Sequence, residues 1–102
     1  MNDKSTEIAK INDAFRIKGA FSVTQGIFSL PSLRDLTEAV MTYCVFNEDN
    51  DPYGEHDFGS IDWFGNKVFW KIDYYDSAFE LWADPLSSEC HRVLTVMLAD
   101  EY

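Results

Sequence analysis

Basic residues are scarce in this sequence of 102 residues, which holds eight lysines and arginines against eighteen aspartates and glutamates. The formal net charge is −10. A surface with such an excess of negative charge repels nucleic acid and anionic membranes and attracts basic surfaces. Direct binding of nucleic acid and attachment to a membrane are therefore the partner classes that the composition excludes first.

Long apolar runs are absent as well. No run approaches the roughly 18 residues of a membrane-spanning helix, and the opening segment MNDKSTEIAK lacks the apolar stretch of an export signal. We therefore expect no transmembrane helix and a cytoplasmic location. Cysteine is limited to Cys44 and Cys90, which form no CxxC pair, and in a reducing compartment both are expected to be buried apolar residues.

What the chain does contain is enough apolar material for a core. Apolar residues make up 46% of the sequence and aromatic residues 16%. A chain of 102 residues has the usual size of one domain. We therefore predict a single acidic domain that spans residues 1–102.

Three segments have the apolar spacing of helices. The first covers residues 5–18, where Ile8, Ile11 and Phe15 fall on one stripe. The second covers 31–43 and the third 85–100. The third is preceded by Asp84-Pro85, a pair typical of a helix N-terminus.

A β-hairpin is predicted between the second and third helices, with strands at about 58–64 and 67–75. Gly65-Asn66 has the residue order of a type II′ turn, which would place Trp70 opposite Ile61. With that register the inner face of the hairpin carries Ile61, Trp63, Val68, Trp70, Ile72 and Tyr74. The whole pattern predicts an α+β fold, with helices packed on one face of a small, mostly antiparallel sheet.

The segment NEDNDPYGEHDFG, residues 47–59, holds five carboxylates and one histidine but no lysine or arginine. We call it the acidic loop. Read as an EF-hand from Asp49, it has Tyr53 at the ligand position 5 and Ser60 at position 12, where a bidentate glutamate is required. The sequence therefore predicts no metal site and no cofactor.

Two other interpretations of the acidic loop stay open. His56 lies between Glu55 and Asp57, so a small enzyme or a metal-binding domain could use these groups. However, neighbours in an extended chain point apart, and no catalytic motif accompanies them. The plainest interpretation is that the acids are only a solvated surface.

The interpretation that we favour is a non-catalytic protein that binds a basic protein surface. Residues 19–102 carry fifteen acids against four bases, a net of −11. Because duplex DNA is also densely negative, such a domain can act as a nucleic-acid mimic and occupy the nucleic-acid channel of another protein. The predicted contact residues are acids of the loop and of the segment that follows it: Glu48, Asp49, Asp51, Glu55, Asp57, Asp62, Asp73 and Asp76.

Three blocks of the sequence, EDNDPYGEHDFG, VFWKIDYYD and RVLTVMLADEY, resemble a family of short bacterial proteins known as a domain of unknown function, number 3768. The resemblance extends from about Ile8 to Tyr102. It implies a cytoplasmic, single-domain bacterial protein of the kind carried on mobile elements, and it transfers no catalytic residue. By analogy with other small acidic proteins of mobile elements, the expected partner is a host defence complex, as for antirestriction and anti-CRISPR proteins.

Overall fold

A computed structural model describes residues 3–102 and confirms the α+β fold class. The helices are α1 Asp3–Ile17, α2 Gln25–Phe28 and α3 Leu33–Met41, and a 3₁₀ turn covers Ala99–Glu101. The strands are β1 Phe21–Val23, β2 Phe58–Trp63, β3 Asn66–Tyr75 and β4 His91–Leu98. They form one sheet in the order β1-β4-β3-β2, in which only the β1–β4 pair is parallel.

The core lies between the helices and one face of the sheet. Residues of β3 alternate, so that Val68, Trp70, Ile72 and Tyr74 are buried while their neighbours are half-buried or exposed. This is the face that the sequence predicts. From the helical side, α1 contributes Ile8 and α3 contributes Leu36 and Val40, together with Ile27 of α2, to the same cluster.

The turn of the hairpin differs from the prediction. Phe64 and Gly65 occupy the two turn positions with φ of 49° and 82°, and two positive φ values are typical of type I′ rather than II′. Asn66 therefore begins β3 opposite Trp63. The side-chain Nδ2 of Asn66 donates to the carbonyl oxygens of Trp63 and Phe64, at 3.2 and 3.3 Å, and these bonds favour asparagine directly after the turn.

The predicted register is wrong by two residues. Trp70 lies opposite Gly59, and Ile61 pairs with Val68. A shift of two positions leaves every side chain on the same face, which is why the prediction of the inner face is nevertheless correct. The physical reason is visible at Gly59, where any Cβ would overlap the Trp70 indole. Only a glycine opposite Trp70 leaves room for its ring.

The helix predicted for residues 85–100 is wrong, because this segment forms a turn followed by β4. Asp84 Oδ1 accepts the Leu86 amide at 2.9 Å, so Asp84 supports a turn rather than a helix N-terminus. β4 lies between β1 and β3, with Leu94 and Val96 buried on one face and Met97 buried on the other. A strand buried on both faces is a nearly continuous apolar run, and its residues also satisfy the helical spacing.

Two other expectations from the sequence can be compared with the structure. Among residues 3–102, no helix has both the length and the apolar character needed to cross a membrane. Cys44 is exposed and Cys90 is half-buried, so the expectation that both cysteines are buried is wrong.

Candidate functional site

The buried face of α1 is partly polar. The apolar spacing predicts a stripe through Ile8, Ile11 and Phe15, but Ile11 is 39% exposed. The row of residues that faces the sheet is instead Ile8, Asn12 and Arg16, of which Asn12 is 0% and Arg16 4% exposed. Burial of such groups is unfavourable unless they find partners, so their partners define a site.

Asn12 connects three segments of the chain. Its Nδ2 donates to the backbone oxygen of Glu55 and to the hydroxyl oxygen of Tyr74, both at 2.9 Å. Its Oδ1 accepts from Nε of Arg92 at 2.6 Å. Tyr74 in turn donates to Oε1 of Glu55 at 2.9 Å, and burial followed by this bond raises the pKa of the Tyr74 hydroxyl. Asn12 therefore joins α1 to the acidic loop, β3 and β4.

Arg16 holds a position one helical turn further along α1. Its guanidinium lies 5.0 Å from the ring centroid of Trp70 and 5.5 Å from that of Phe46. One nitrogen donates to the backbone oxygen of Tyr43 at 2.9 Å and another pairs with Asp13 at 3.1 Å. Arg16 thus fixes the segment after α3 through contacts with aromatic rings and hydrogen bonds.

The acidic loop is closed by its own side chains. Oδ1 of Asn47 accepts the amides of Asp49 and Asn50, and Asn50 Oδ1 accepts the amide of Asn47 at 2.9 Å. Oδ1 of Asp51, a residue that is only 8% exposed, accepts the amides of Glu55 and His56 at 3.1 and 3.2 Å. Asp51 is therefore a structural residue that shapes the loop.

His56 lies where the acidic loop meets α1, and carboxylates face both of its ring nitrogens. Nδ1 is 3.0 Å from Oδ1 of Asp13, and Nε2 is 3.8 Å from Oδ2 of Asp51. The imidazole stacks on Phe46 with 3.9 Å between ring centroids. When the ring is protonated it can pair with both carboxylates, which ties the loop to the helix.

Two shallow grooves open on either side of His56. One, of about 480 Å³, lies between α1 and the segment after α3 and is lined by Asp13, Met41, Cys44 and His56 among others. The other, of about 470 Å³, is bordered by Glu48, Tyr53 and the first turns of α1. The imidazole is thus accessible from the surface although its nitrogens face carboxylates.

Asp57 is the carboxyl whose ionisation is most strongly affected. Burial, followed by the negative charge of Glu55, raises its pKa from 3.8 to about 6. Weaker contributions in the same direction come from Asp51 and Asp73. Keeping Asp57 ionised at neutral pH therefore destabilises the folded state.

Replacement of Asp57 by asparagine is expected to raise the free energy of unfolding at pH 7 by about 1–2 kcal/mol, after allowance for partial exposure. Between pH 3.8 and about 6 the native state binds more protons at Asp57 than the unfolded state does. Ionisation of Asp57 therefore lowers the free energy of unfolding by its full amount above pH 6, and this effect is lost as the pH falls towards 3.8.

Urea unfolding of both proteins at pH 7 and pH 4 measures this effect. We expect the gain at pH 7 to vanish near pH 4. Asp62→Asn is the control, because that side chain is 82% exposed and should change little at either pH. An equal gain from Asp57→Asn at both pH values would show that ionisation of the Asp57 carboxyl is not what destabilises the fold.

The predicted contact residues do not form one surface. Asp51 and Glu55 accept hydrogen bonds that hold the loop, whereas Asp57 is half-buried and lines a groove with Lys71 and Asp73. Lys71 donates to Asp73 at 2.9 Å, and Lys67 lies 3.4 Å from Asp62. The remaining predicted residues lie in surface loops: Glu48 and Asp49 are exposed, and Asp76 accepts backbone amides of the residues that follow it.

Five residues that build this site are not among those predicted from the sequence: Asn12, Asp13, Arg16, Tyr74 and Arg92. Only one signal points to any of them, namely the spacing of Asn12 and Arg16 at four and eight residues after Ile8, on one helix face. Among residues 3–102, no cluster of three or more histidine, cysteine, aspartate or glutamate side chains is arranged to hold a metal ion.

Comparison with known proteins identifies a family for this chain. A family model described as "Protein of unknown function (DUF3768)" matches residues 23–101, a range that includes the acidic loop and the whole hairpin but not α1. No curated protein matches the chain, and no solved structure does. Because the matched range covers well over half of the 102 residues, the chain belongs to the DUF3768 family.

Proposed function

We propose that this domain is a non-catalytic acidic protein that binds a basic protein surface. The observation that carries the proposal is the number of exposed carboxylates without a basic neighbour. Within residues 3–102, five acids between positions 47 and 89 are exposed and form no ion pair: Glu48, Asp49, Glu80, Asp84 and Glu89.

The distribution of the basic residues strengthens this imbalance. Beyond Lys18 the chain has four basic residues, and three of them form ion pairs or hydrogen bonds with other side chains. Lys67 and Lys71 pair with Asp62 and Asp73, and Arg92 bonds to Asn12 inside the network. A partner with a basic surface can therefore supply the neutralising charge that the domain itself lacks.

The acidic loop also has the rigidity that binding favours. Side chains of Asn47, Asn50 and Asp51 fix its backbone, and Asn12 anchors its far end. Glu48 and Asp49 are therefore presented in a fixed arrangement on the surface. A preorganised loop loses less conformational entropy on binding than a flexible one.

Within this proposal, the specific partner to test first is the nucleic-acid channel of a bacterial defence complex. Such channels are basic because they neutralise phosphates, and a protein of net charge −10 is complementary to them. The proposal includes a cytoplasmic location, where these complexes act. Competition by duplex DNA for the same surface would distinguish a mimic from a protein that binds elsewhere on the partner.

The test is a double variant, Glu48→Gln with Asp49→Asn, measured against a basic partner captured from the native host. We expect its affinity to fall about fivefold at low salt, because two exposed charges contribute about 1 kcal/mol together. The difference should shrink at high salt. Acids inside the loop are avoided, since removing Asp51 would disturb the fold itself.

The matched control is Asp35→Asn with Glu38→Gln on α3, two exposed acids that remove the same charge from a different surface. It should bind like the wild type. Equal affinities for the wild type and the loop variant at both salt concentrations would remove the acidic loop from the proposal.

A second candidate function rests on His56. Its Nδ1 is held 3.0 Å from Asp13, an arrangement that also orients an imidazole for general-base catalysis or metal binding. A stoichiometric micromolar site in a calorimetric titration with Ca²⁺ or Zn²⁺ would favour this candidate. Loss of such a site in His56→Gln, without dependence on salt, would assign it to the imidazole.

A further inference from the structure

The segment between β3 and β4 presents large apolar side chains to solvent. Phe79, Leu81 and Trp82 are 55%, 69% and 70% exposed. We call residues 76–82 the aromatic loop. Exposed groups of this size are unfavourable in water, and when clustered they usually mark a surface that another molecule covers.

The aromatic loop has a fixed shape. Oδ1 of Asp76 accepts the amides of Ala78 and Glu80 at 3.1 and 3.0 Å, and the amide of Asp76 donates to the Leu81 oxygen at 2.8 Å. These bonds hold Phe79 at φ 58°, a left-handed conformation that is rare for an aromatic residue.

A groove of about 570 Å³ lies beside this loop, between α1 and the start of β4. Its floor is apolar, with Ile11, Ala14 and Phe15, and no acidic residue lines it. Lys10 and Lys18 are exposed at its border, and neither forms an ion pair with any of the residues 3–102. The groove is therefore apolar with a basic rim.

The loop and the groove are complementary in charge as well as in apolar character. The aromatic loop has two acids, Asp76 and Glu80, and no lysine or arginine. The two features are also adjacent, because the Phe79 ring lies 5.1 Å from that of His91, which lines the groove. A two-fold axis near His91 would let each of two copies place its loop in the groove of the other.

We propose that a second copy of this chain covers this surface, in a symmetric dimer in which the aromatic loop of each copy fills the groove of its partner. Trp82 and Leu81 pack on the apolar floor, and Glu80 faces the lysines at the rim. The dimer leaves Glu48 and Asp49 free for the basic partner proposed above, although it uses Glu80, another of the five exposed acids.

The first test is sedimentation velocity over a range of protein concentrations. The wild type should pass from monomer to dimer without larger species. Trp82→Asp should weaken association about thirtyfold or more, as for a central aromatic contact. The control is Phe64→Asp in the turn between β2 and β3, an aromatic residue of similar exposure, 66%, which should leave association unchanged.

The second test exchanges charges. Glu80→Lys alone, and Lys10→Glu with Lys18→Glu, should each weaken self-association about tenfold, because like charges then face each other at both contacts. A mixture of the two variants should form a heterodimer, because both of its contacts again join opposite charges. Circular dichroism of each variant establishes that the fold is intact.

Three results would overturn the proposal. The wild type could remain a monomer at every concentration, which would show that a second copy does not cover the aromatic loop. It could form a dimer that neither Trp82→Asp nor the charge reversals affect, which would place the interface elsewhere. Species larger than a dimer would show that the contact does not close on itself.

Discussion

Replacement of Trp70 by alanine is expected to lower the free energy of unfolding by about 3–5 kcal/mol, the usual cost of removing a buried aromatic side chain. Trp70 is fully buried in the centre of β3. Tyr43 and Phe46 meet it edge-on at 5.4 and 6.2 Å between ring centroids, and the Arg16 guanidinium covers it. Its loss would therefore expose a buried cation as well as leave a cavity.

Urea unfolding followed by circular dichroism measures this change, at a protein concentration at which the chain is monomeric. Trp82→Ala provides a matched control, because the same type of residue is 70% exposed there and should change stability by no more than about 0.5 kcal/mol. Similar losses in the two variants would show that Trp70 is not the centre of the core.

The hairpin illustrates how far the sequence determines the fold. Alternation of apolar residues identifies the inner face of β3, because that period is a property of the strand alone. The register depends on the turn, and Phe64-Gly65-Asn66 allows two turns whose registers differ by two residues. Contact between Trp70 and Gly59 distinguishes them, and no local pattern in the sequence reports that contact.

The sequence fails to predict β4 for a different reason. Val93, Leu94, Met97 and Leu98 satisfy the spacing of an amphipathic helix, yet they belong to a strand that pairs with β1 on one edge and β3 on the other. The deciding interaction is the parallel pairing of β4 with β1, more than seventy positions earlier in the chain. Tertiary pairing of this kind overrides local preference.

The candidate site is partly predictable. Its acidic side is visible, since a run of five carboxylates without a base is conspicuous in any sequence. Its other side is hidden, because Asn12 and Arg16 on a helix are normally solvent-facing residues. The sequence therefore does not show that Asp51 and Glu55 accept hydrogen bonds within the fold, or that Asp57 is half-buried with a raised pKa.

Replacement of Asn12 by alanine is expected to lower the free energy of unfolding by about 3 kcal/mol, because the substitution removes one hydrogen bond from each of three groups in or beside the core. These groups are the Glu55 carbonyl, the Tyr74 hydroxyl and the Arg92 guanidinium, which is charged. The acidic loop should also become more mobile. The backbone amides of Glu55 and His56, which donate hydrogen bonds to the Asp51 carboxylate, should then exchange their hydrogens faster.

The comparison that makes this prediction decisive is with the neighbouring residue. Apolar spacing alone predicts that Ile11→Ala destabilises the fold and Asn12→Ala does not, whereas burial predicts the reverse, since Ile11 is 39% exposed and Asn12 is 0% exposed. We expect Ile11→Ala to cost less than about 1 kcal/mol when the chain is monomeric. If Ile11→Ala were the more damaging change, α1 would be rotated relative to the sheet, and Asn12 could not join the acidic loop to β3 and β4.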